Sequence, residues 1–288
     1  MKKYKLNKEE IVKELIAISS VQAPSGKEGE RVNYIIKKID SLNDSSIKYN
    51  IDKHGNLLVV KGELSEGEYY PCIVSHLDTV HSFKGGFHIA KGKLGNLDVL
   101  CACDSDKKNR YGGVGDDSNG IAICLEALKA IDKIKVAFFV QEECGGIGSG
   151  QVELSFFDDC GYILEGDRKG KSDLIFTYFG LPVISEELIM EAQPIFDKYN
   201  YREAQGVFTD VMILFNRKVG ISVFNFSVGY YNAHTDREYT VVSEFLNSVE
   251  FALDFITIIG RTRWEHEFID YDEWIDYNED EYYQLLNY

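Results

Sequence analysis

Val114-Gly115-Asp116-Asp117-Ser118-Asn119-Gly120 sets two adjacent carboxylates between a glycine-rich approach and an apolar run, residues 121–131, that reads as a buried helix. Acids at the mouth of an apolar helix need a positive partner. The unpaired N–H groups of the helix N-terminus are one candidate, and a metal ion is the other. The choice turns on what the rest of the chain brings to the same place.

Working outward, the segments on either side are apolar runs that end in charge. Tyr70-Pro71-Cys72-Ile73-Val74-Ser75 leads into His76-Leu77-Asp78. Lys135-Val136-Ala137-Phe138-Phe139-Val140 leads into Gln141-Glu142-Glu143, and Gly161-Tyr162-Ile163-Leu164 into Glu165-Gly166-Asp167-Arg168-Lys169-Gly170. Runs without polar alternation are strands covered on both faces. Helical patterns separate them, which predicts an α/β fold: a three-layer sandwich with a mostly parallel central sheet flanked by helices.

Helices are expected over 7–20, where Ile11, Leu15 and Ile18 recur at helical spacing, and from a Ser25-Gly26-Lys27-Glu28 cap to about residue 42. A hairpin is expected over 47–51 and 56–61, a short helix over 150–157, and a strand over 174–179. Further on, the patterns give helices over 185–198, 209–217 and 242–260, with a strand over 220–226 and a loop over 227–235. Residues 85–113 are glycine-rich, with strand-like pieces at 87–90 and 97–103, and read as rim loops.

The chain has 288 residues, 44% of them hydrophobic, enough to bury a large core. Its net charge is −16, and nine acids with no Lys or Arg fall in 264–288. That balance argues against nucleic acid or anionic membrane as a partner. The N-terminus MKKYKLNKEE has no apolar signal segment and the six cysteines lie mostly in apolar runs, so a cytoplasmic protein with reduced thiols is expected. Cys101-Ala-Cys103 has no second pair to complete a zinc knuckle.

Strand ends in an α/β sheet share one rim. His76, Glu142 with Glu143, Glu165 or Asp167, and His234 all follow such ends. Taken singly each has a plain structural reading, as a loop acid or a core histidine. Together with Asp116 they supply two histidines and three carboxylates with a glutamate to spare. Two divalent metals about 3.5–4 Å apart need that set: one bridging carboxylate, terminal ligands for each ion, and a base.

These residues resemble the co-catalytic zinc exopeptidases, a family that includes bacterial aminopeptidases, peptidase T and carboxypeptidase G. His76-Leu77-Asp78 resembles their His-x-Asp, and Gly115-Asp116-Asp117-Ser118-Asn119-Gly120 their Asp-Asp segment. Glu142-Glu143 resembles their Glu-Glu pair, and His234-Thr235-Asp236-Arg237-Glu238 their His-Thr-x-x-Glu. The resemblance runs from about residue 7 to 260. It implies two divalent ions, zinc by the family's habit, one held by His76, Asp116 and Asp167 and the other by Asp116, Glu143 and His234. Glu142 is then the general base, Asp78 supports His76, and Asp117 orients the backbone. Glu165 is the alternative to Asp167, since residues i and i+2 of an extended segment face the same way.

Asp167 and His234 are only 67 positions apart, which leaves no room for the second domain that many members insert there. Residues 1–263 are expected to form one catalytic domain, and 264–288 an acidic aromatic tail with Trp264, Phe268, Tyr271 and Ile275 on one helical stripe. Asp210 reads either as a helix cap or as a contact for a substrate amine. Ser227, Gly229 and Tyr230 are candidate substrate contacts, and Asp236 and Glu238 are expected to position the His234 loop. The implied function is an aminopeptidase acting on short peptides, self-association left open. An N-acyl amino acid deacylase on the same ions, or a catalytically silent metal-binding interaction protein, are the alternatives.

Overall fold

The computed structural model describes residues 4–82, 86–104, 110–206 and 208–267, and for Arg110 and Tyr111 the backbone alone. Helices α1 (Lys8–Ser19) and α2 (Gly29–Ser41) precede strands β1 (Ile47–Ile51), β2 (Leu57–Lys61) and β3 (Tyr70–His76). Then come β4 (Phe87–Leu94), β5 (Leu97–Asp104), β6 (Arg110–Tyr111), α3 (Ser118–Ala130), β7 (Ile134–Phe139), α4 (Ile147–Gln151), a 3-10 turn (Leu154–Phe157) and β8 (Cys160–Arg168). The rest comprises β9 (Asp173–Tyr178), β10 (Leu181–Pro182), α5 (Glu186–Tyr199), β11 (Arg202–Gly206), α6 (Asp210–Asn216), β12 (Val223–Ser227), β13 (Tyr230–Tyr231), β14 (Tyr239–Val241) and α7 (Val242–Ile259).

Nine strands form the main sheet in the order β1-β2-β7-β3-β8-β12-β9-β10, with β11 on the outer side of β9. The central four, β7, β3, β8 and β12, run parallel, and antiparallel pairing brings in β1–β2 on one side and β9 on the other. The apolar runs explain why these four are central. Successive residues enter opposite cores: Ile73, Val136, Phe138 and Leu164 join the helices α1, α2, α3, α5 and α7 on one face. Their neighbours Cys72, Val74, Ala137, Phe139 and Ile163 join α6 and the 3-10 turn on the other. A strand with two buried faces has no polar side to show, so alternation vanishes. Helix α3 is buried at every position from Ser118 to Leu128, as befits a helix apolar all round.

Residues 87–104, expected as rim loops, form two paired strands. β4 and β5 are a regular hairpin, registered from Phe87↔Asp104 to Leu94↔Leu97 around a turn with Gly95 at φ 59°. They nucleate a second, antiparallel sheet of five strands in the order β13-β14-β5-β4, with β6 on β5. Its partners β13 and β14 come from far along the chain, and they hold the His234 loop between them.

Three local expectations need correction. Ser25 does not cap α2: the cap is Glu28, without a side-chain bond, and the Ser25 hydroxyl is used elsewhere. The helix expected over 150–157 is broken at Val152 into α4 and the 3-10 turn. At Trp264 the tail is extended, not helical: its N–H donates to Gly161 O and its carbonyl accepts from Ser222 N, both at 2.8 Å. The remainder of the expected tail helix, 268–288, lies outside the described residues. Among the described residues no helix is long and apolar enough to cross a membrane.

Candidate metal centre

The centre is built at the carboxyl ends of β3, β7 and β8. His76 is the last residue of β3 and is fully buried. Its Nε2 lies 2.9 Å from Asp116 Oδ1 and 3.8 Å from Asp167 Oδ2. On the other side His234 Nε2 lies 3.1 Å from Asp116 Oδ2 and 3.0 Å from Glu143 Oε2. The two oxygens of Asp116 are thus divided between two groups: His76 with Asp167, and His234 with Glu143. Among the described residues, donor atoms of His76, Asp116 and Glu143, and of His76, Asp117 and Asp167, fall within 4.8 Å of one another.

Asp117 belongs to the scaffold. It is the N-cap of α3, its Oδ1 accepting from Gly120 N at 2.9 Å. Its Oδ2 accepts from Ser75 Oγ at 2.5 Å and from His76 N at 3.3 Å. The peptide bond between Asp116 and Asp117 is cis, and the two side chains serve different partners. The acid pair thus divides its roles: Asp117 satisfies the helix N-terminus and Asp116 faces the histidines.

Asp78 ties the centre together. Its Oδ1 sits 3.3 Å from His76 Nδ1 and accepts from Glu142 N at 2.9 Å. Its Oδ2 accepts from Ser25 Oγ at 2.6 Å and from Glu143 N at 3.3 Å. One buried carboxylate therefore orients His76 and pins the backbone of both glutamates. Arg31, fully buried beneath, bonds to the carbonyls of Leu77 and Val21 and completes the support of this loop. Ser25 and Arg31 were not singled out from sequence. Ser25 gave a false local signal, and Arg31 gave none beyond a charge in an amphipathic helix.

Electrostatics show a site short of positive charge. Burial would push the His76 imidazolium down, yet Asp167, Asp116 and Asp78 hold it well above the usual histidine value. Bonds to Asp116 and Glu143 push His234 up to about 11. Burial, reinforced by the Asp116 charge, raises Asp167 to about 6. Burial, partly opposed by His76 and reinforced by Asp167, raises Glu142 to about 10. Glu143 Oε1 is buried without a hydrogen-bond partner. The donor set is oxygen and imidazole nitrogen, and among the described residues Asp116 pairs with no amine or guanidinium. It fits divalent cations of the kind that accept both ligand types.

The other sequence-derived residues fall in different places. Glu165 is fully buried one turn of the strand deeper than Asp167, its Oε2 accepting from Val211 N at 3.2 Å. Asp210 is fully buried at the start of α6, with Oδ1 accepting from Ser149 Oγ at 2.5 Å. Its neighbours Phe208 and Thr209 line the cleft, and Asp210 lies behind them. Ser227 is buried and spent on Lys169 O and Asp173 N. Gly229, at φ 84°, packs against the backbone of α7 at Phe245, where a Cβ would overlap. Tyr230 does line the cleft, and its hydroxyl donates to Asp167 Oδ1 at 3.1 Å. Glu238 ties the His234 loop to Asp116: its N–H donates to Thr235 O at 3.2 Å, its Oε1 accepts from Asp116 N at 3.4 Å, and its Oε2 lies 3.5 Å from His81 Nε2. Asp236 is exposed.

The cleft in front of the centre encloses about 280 Å³. Asp116, Glu142, Asp167 and His234 form one end, and Ile175, Phe208 and Ala233 supply apolar wall.

No protein family's sequence model matches the chain, and no curated protein sequence matches it. Solved structures do match. Aminopeptidase PepT from Bacillus cereus superposes with a TM-score of 0.72 at 15% identity, over 88% of this chain and 99% of that one. This chain shares the fold of that aminopeptidase. A tripeptidase from Staphylococcus aureus matches with a TM-score of 0.70 at 12% identity, over 89% of this chain and 99% of that one. The Pyrococcus horikoshii TET1 peptidase, which can assemble into a tetrahedron or a large octahedral shell, matches at 0.58 and 16% identity, over 84% and 98%.

Proposed function

We propose that this protein is a metal-dependent aminopeptidase that hydrolyses short peptides with two divalent ions, zinc by analogy with the family its motifs resemble. The observation that carries this reading is the division of the Asp116 carboxylate between two histidines, each with its own second acid. One ion would be held by His76, Asp116 and Asp167, the other by Asp116, Glu143 and His234. When bound, such ions supply Lewis acidity toward water and toward the scissile carbonyl. The chain's own residues do the rest. Glu142 lines the cleft with its backbone fixed by Asp78, so its carboxylate takes the proton of the attacking water and returns it to the leaving amine. Asp78 keeps the His76 ring oriented with Nε2 toward Asp116.

On this reading residues 1–263 act as one catalytic domain in the cytoplasm, without a lid domain, and self-association comes by analogy with the shell-forming TET1 peptidase. A deacylase of N-acyl amino acids is the second reading. It is favoured by one observation: Asp210, the acid read as a contact for a free substrate amine, is fully buried with its Oδ1 held by Ser149.

The deciding experiment measures hydrolysis of free-amine, N-acyl and carboxy-terminal substrates with and without chelator. Cleavage of free-amine peptides, abolished by chelator and restored by zinc, is the expected result. Turnover of N-acyl substrates alone would replace it with the deacylase reading. Absence of any chelator-sensitive hydrolysis would remove the enzyme.

A further inference from the structure

Two cations line the same cleft, and the chemistry above leaves them unused. Arg168 ends β8 directly after Asp167, and Lys169 follows it. Arg168 is tied through Nε to Asp173 Oδ2 at 3.1 Å. That single bond orients the guanidinium, and among the described residues Arg168 makes no second ion pair, which leaves its terminal nitrogens for a ligand. Lys169 is exposed and makes no ion pair among the described residues.

The turn that carries them is braced. Ser227 Oγ donates to Lys169 O at 2.8 Å and accepts from Asp173 N at 3.1 Å. Gly229 N donates to Gly170 O at 2.7 Å, and Gly170 N to Tyr230 O at 2.8 Å. Ser227 and Gly229 thus shape the wall that presents the cations. Charge bookkeeping points the same way. The carboxylates Asp116, Glu142, Glu143 and Asp167 would together balance two divalent ions, and Asp173 already balances Arg168, so Lys169 is the unpaired cation that lines the cleft among the described residues.

We propose that Arg168 and Lys169 form a carboxylate-recognition subsite, so that the preferred substrate is a short peptide with a carboxylate next to the scissile bond, as its C-terminus or as an acidic side chain. The proposal rests on the peptide reading of the cleft. A planar guanidinium already oriented by one acid is suited to a second, bidentate one. Arg168 and Lys169 line the same cleft as Glu142 and Asp167, which puts a carboxylate close to the scissile bond within their reach.

The test uses hydrolysis-resistant isosteres with a reduced peptide bond, titrated calorimetrically into the zinc-loaded protein. Leu-Leu with a free C-terminal carboxylate is compared with its C-terminal amide, and Glu-Leu amide forms the side-chain arm. At least one carboxylate-bearing ligand should bind about tenfold or more tightly than Leu-Leu amide, the scale of one charge-assisted contact. Whichever carries the gain identifies the source. In Lys169→Gln, an exposed change that leaves the fold intact, the preference should fall severalfold. In Arg168→Gln it should fall further, and Arg168→Lys should restore part of it. Equal binding of all three ligands, no binding of any, or a preference unchanged in every variant would overturn the proposal. Chelator-sensitive turnover without a carboxylate preference would sink this inference alone. Carboxylate-dependent binding without turnover would sink the hydrolase alone.

Discussion

Asp78→Asn keeps the shape of the side chain and removes its charge. Asp78 is fully buried and accepts from Ser25 Oγ, Glu142 N and Glu143 N while facing His76 Nδ1. An amide has one oxygen, so its NH₂ must point at one of these donors, and two donors then face each other in a buried place. Replacing the carboxylate partner of a metal-binding histidine costs about 10–100-fold in metal affinity, roughly 1.4–2.8 kcal/mol. The upper end is expected, because the same change also loosens both glutamates. The assay is competition for zinc against a chromophoric chelator, with kcat measured at saturating metal. Metal affinity should fall toward 100-fold, and kcat should drop as well because Glu142 is no longer anchored. A variant that binds zinc within twofold of wild type with unchanged kcat would refute the role given to Asp78.

Three further perturbations test other parts of the structure. Glu142→Gln should lower kcat by about 10²–10⁴-fold while elemental analysis finds the metal content unchanged; near-normal turnover would remove Glu142 as the base. Gly120→Ala should destabilise the fold by about 2–4 kcal/mol in denaturant titration, because a Cβ there overlaps the Asp117 carboxylate, which Ser75 and His76 N hold in place. Glu68 titrates at about 2, depressed by Lys133 first, then the Ser65 N–H and Arg261. A depressed carboxylate stabilises above its unfolded pKa near 4.5 and loses that stabilisation as pH falls toward its folded value. The stability advantage of wild type over Glu68→Gln should therefore be full at pH 6 and shrink between about pH 4.5 and 2; a difference flat across that range would count against the Lys133–Glu68–Arg261 cluster.

What could be read from the chain follows from how local each signal is. The apolar runs that became β3, β7 and β8 are buried on both faces, and their helical connections are legible in the same window, so the central sheet was foreseeable. The charged strand ends inherit that legibility, which is how His76, Glu143 and Asp167 come to stand around Asp116. The second sheet was not legible, because β5 pairs with β14, some 140 positions away, and nothing local names that partner. Ser25 shows how a local rule fails. Ser-Gly-Lys-Glu has the pattern of a cap, but the helix starts later, at Gly29, and the Ser25 hydroxyl donates to the buried Asp78 carboxylate. Asp210, Ser227 and Gly229 lie beside cleft-lining residues in sequence but are themselves buried. Their burial depends on Ser149, Lys169 and α7, which the sequence does not bring to mind.

The most direct test of the bridging role of Asp116 is anomalous diffraction at the zinc edge from crystals of the zinc-loaded protein. Two peaks about 3.5–4 Å apart are expected, one on each side of the Asp116 carboxylate, with His76 and Asp167 at one and His234 and Glu143 at the other. A single peak, or two that do not share Asp116, would contradict it.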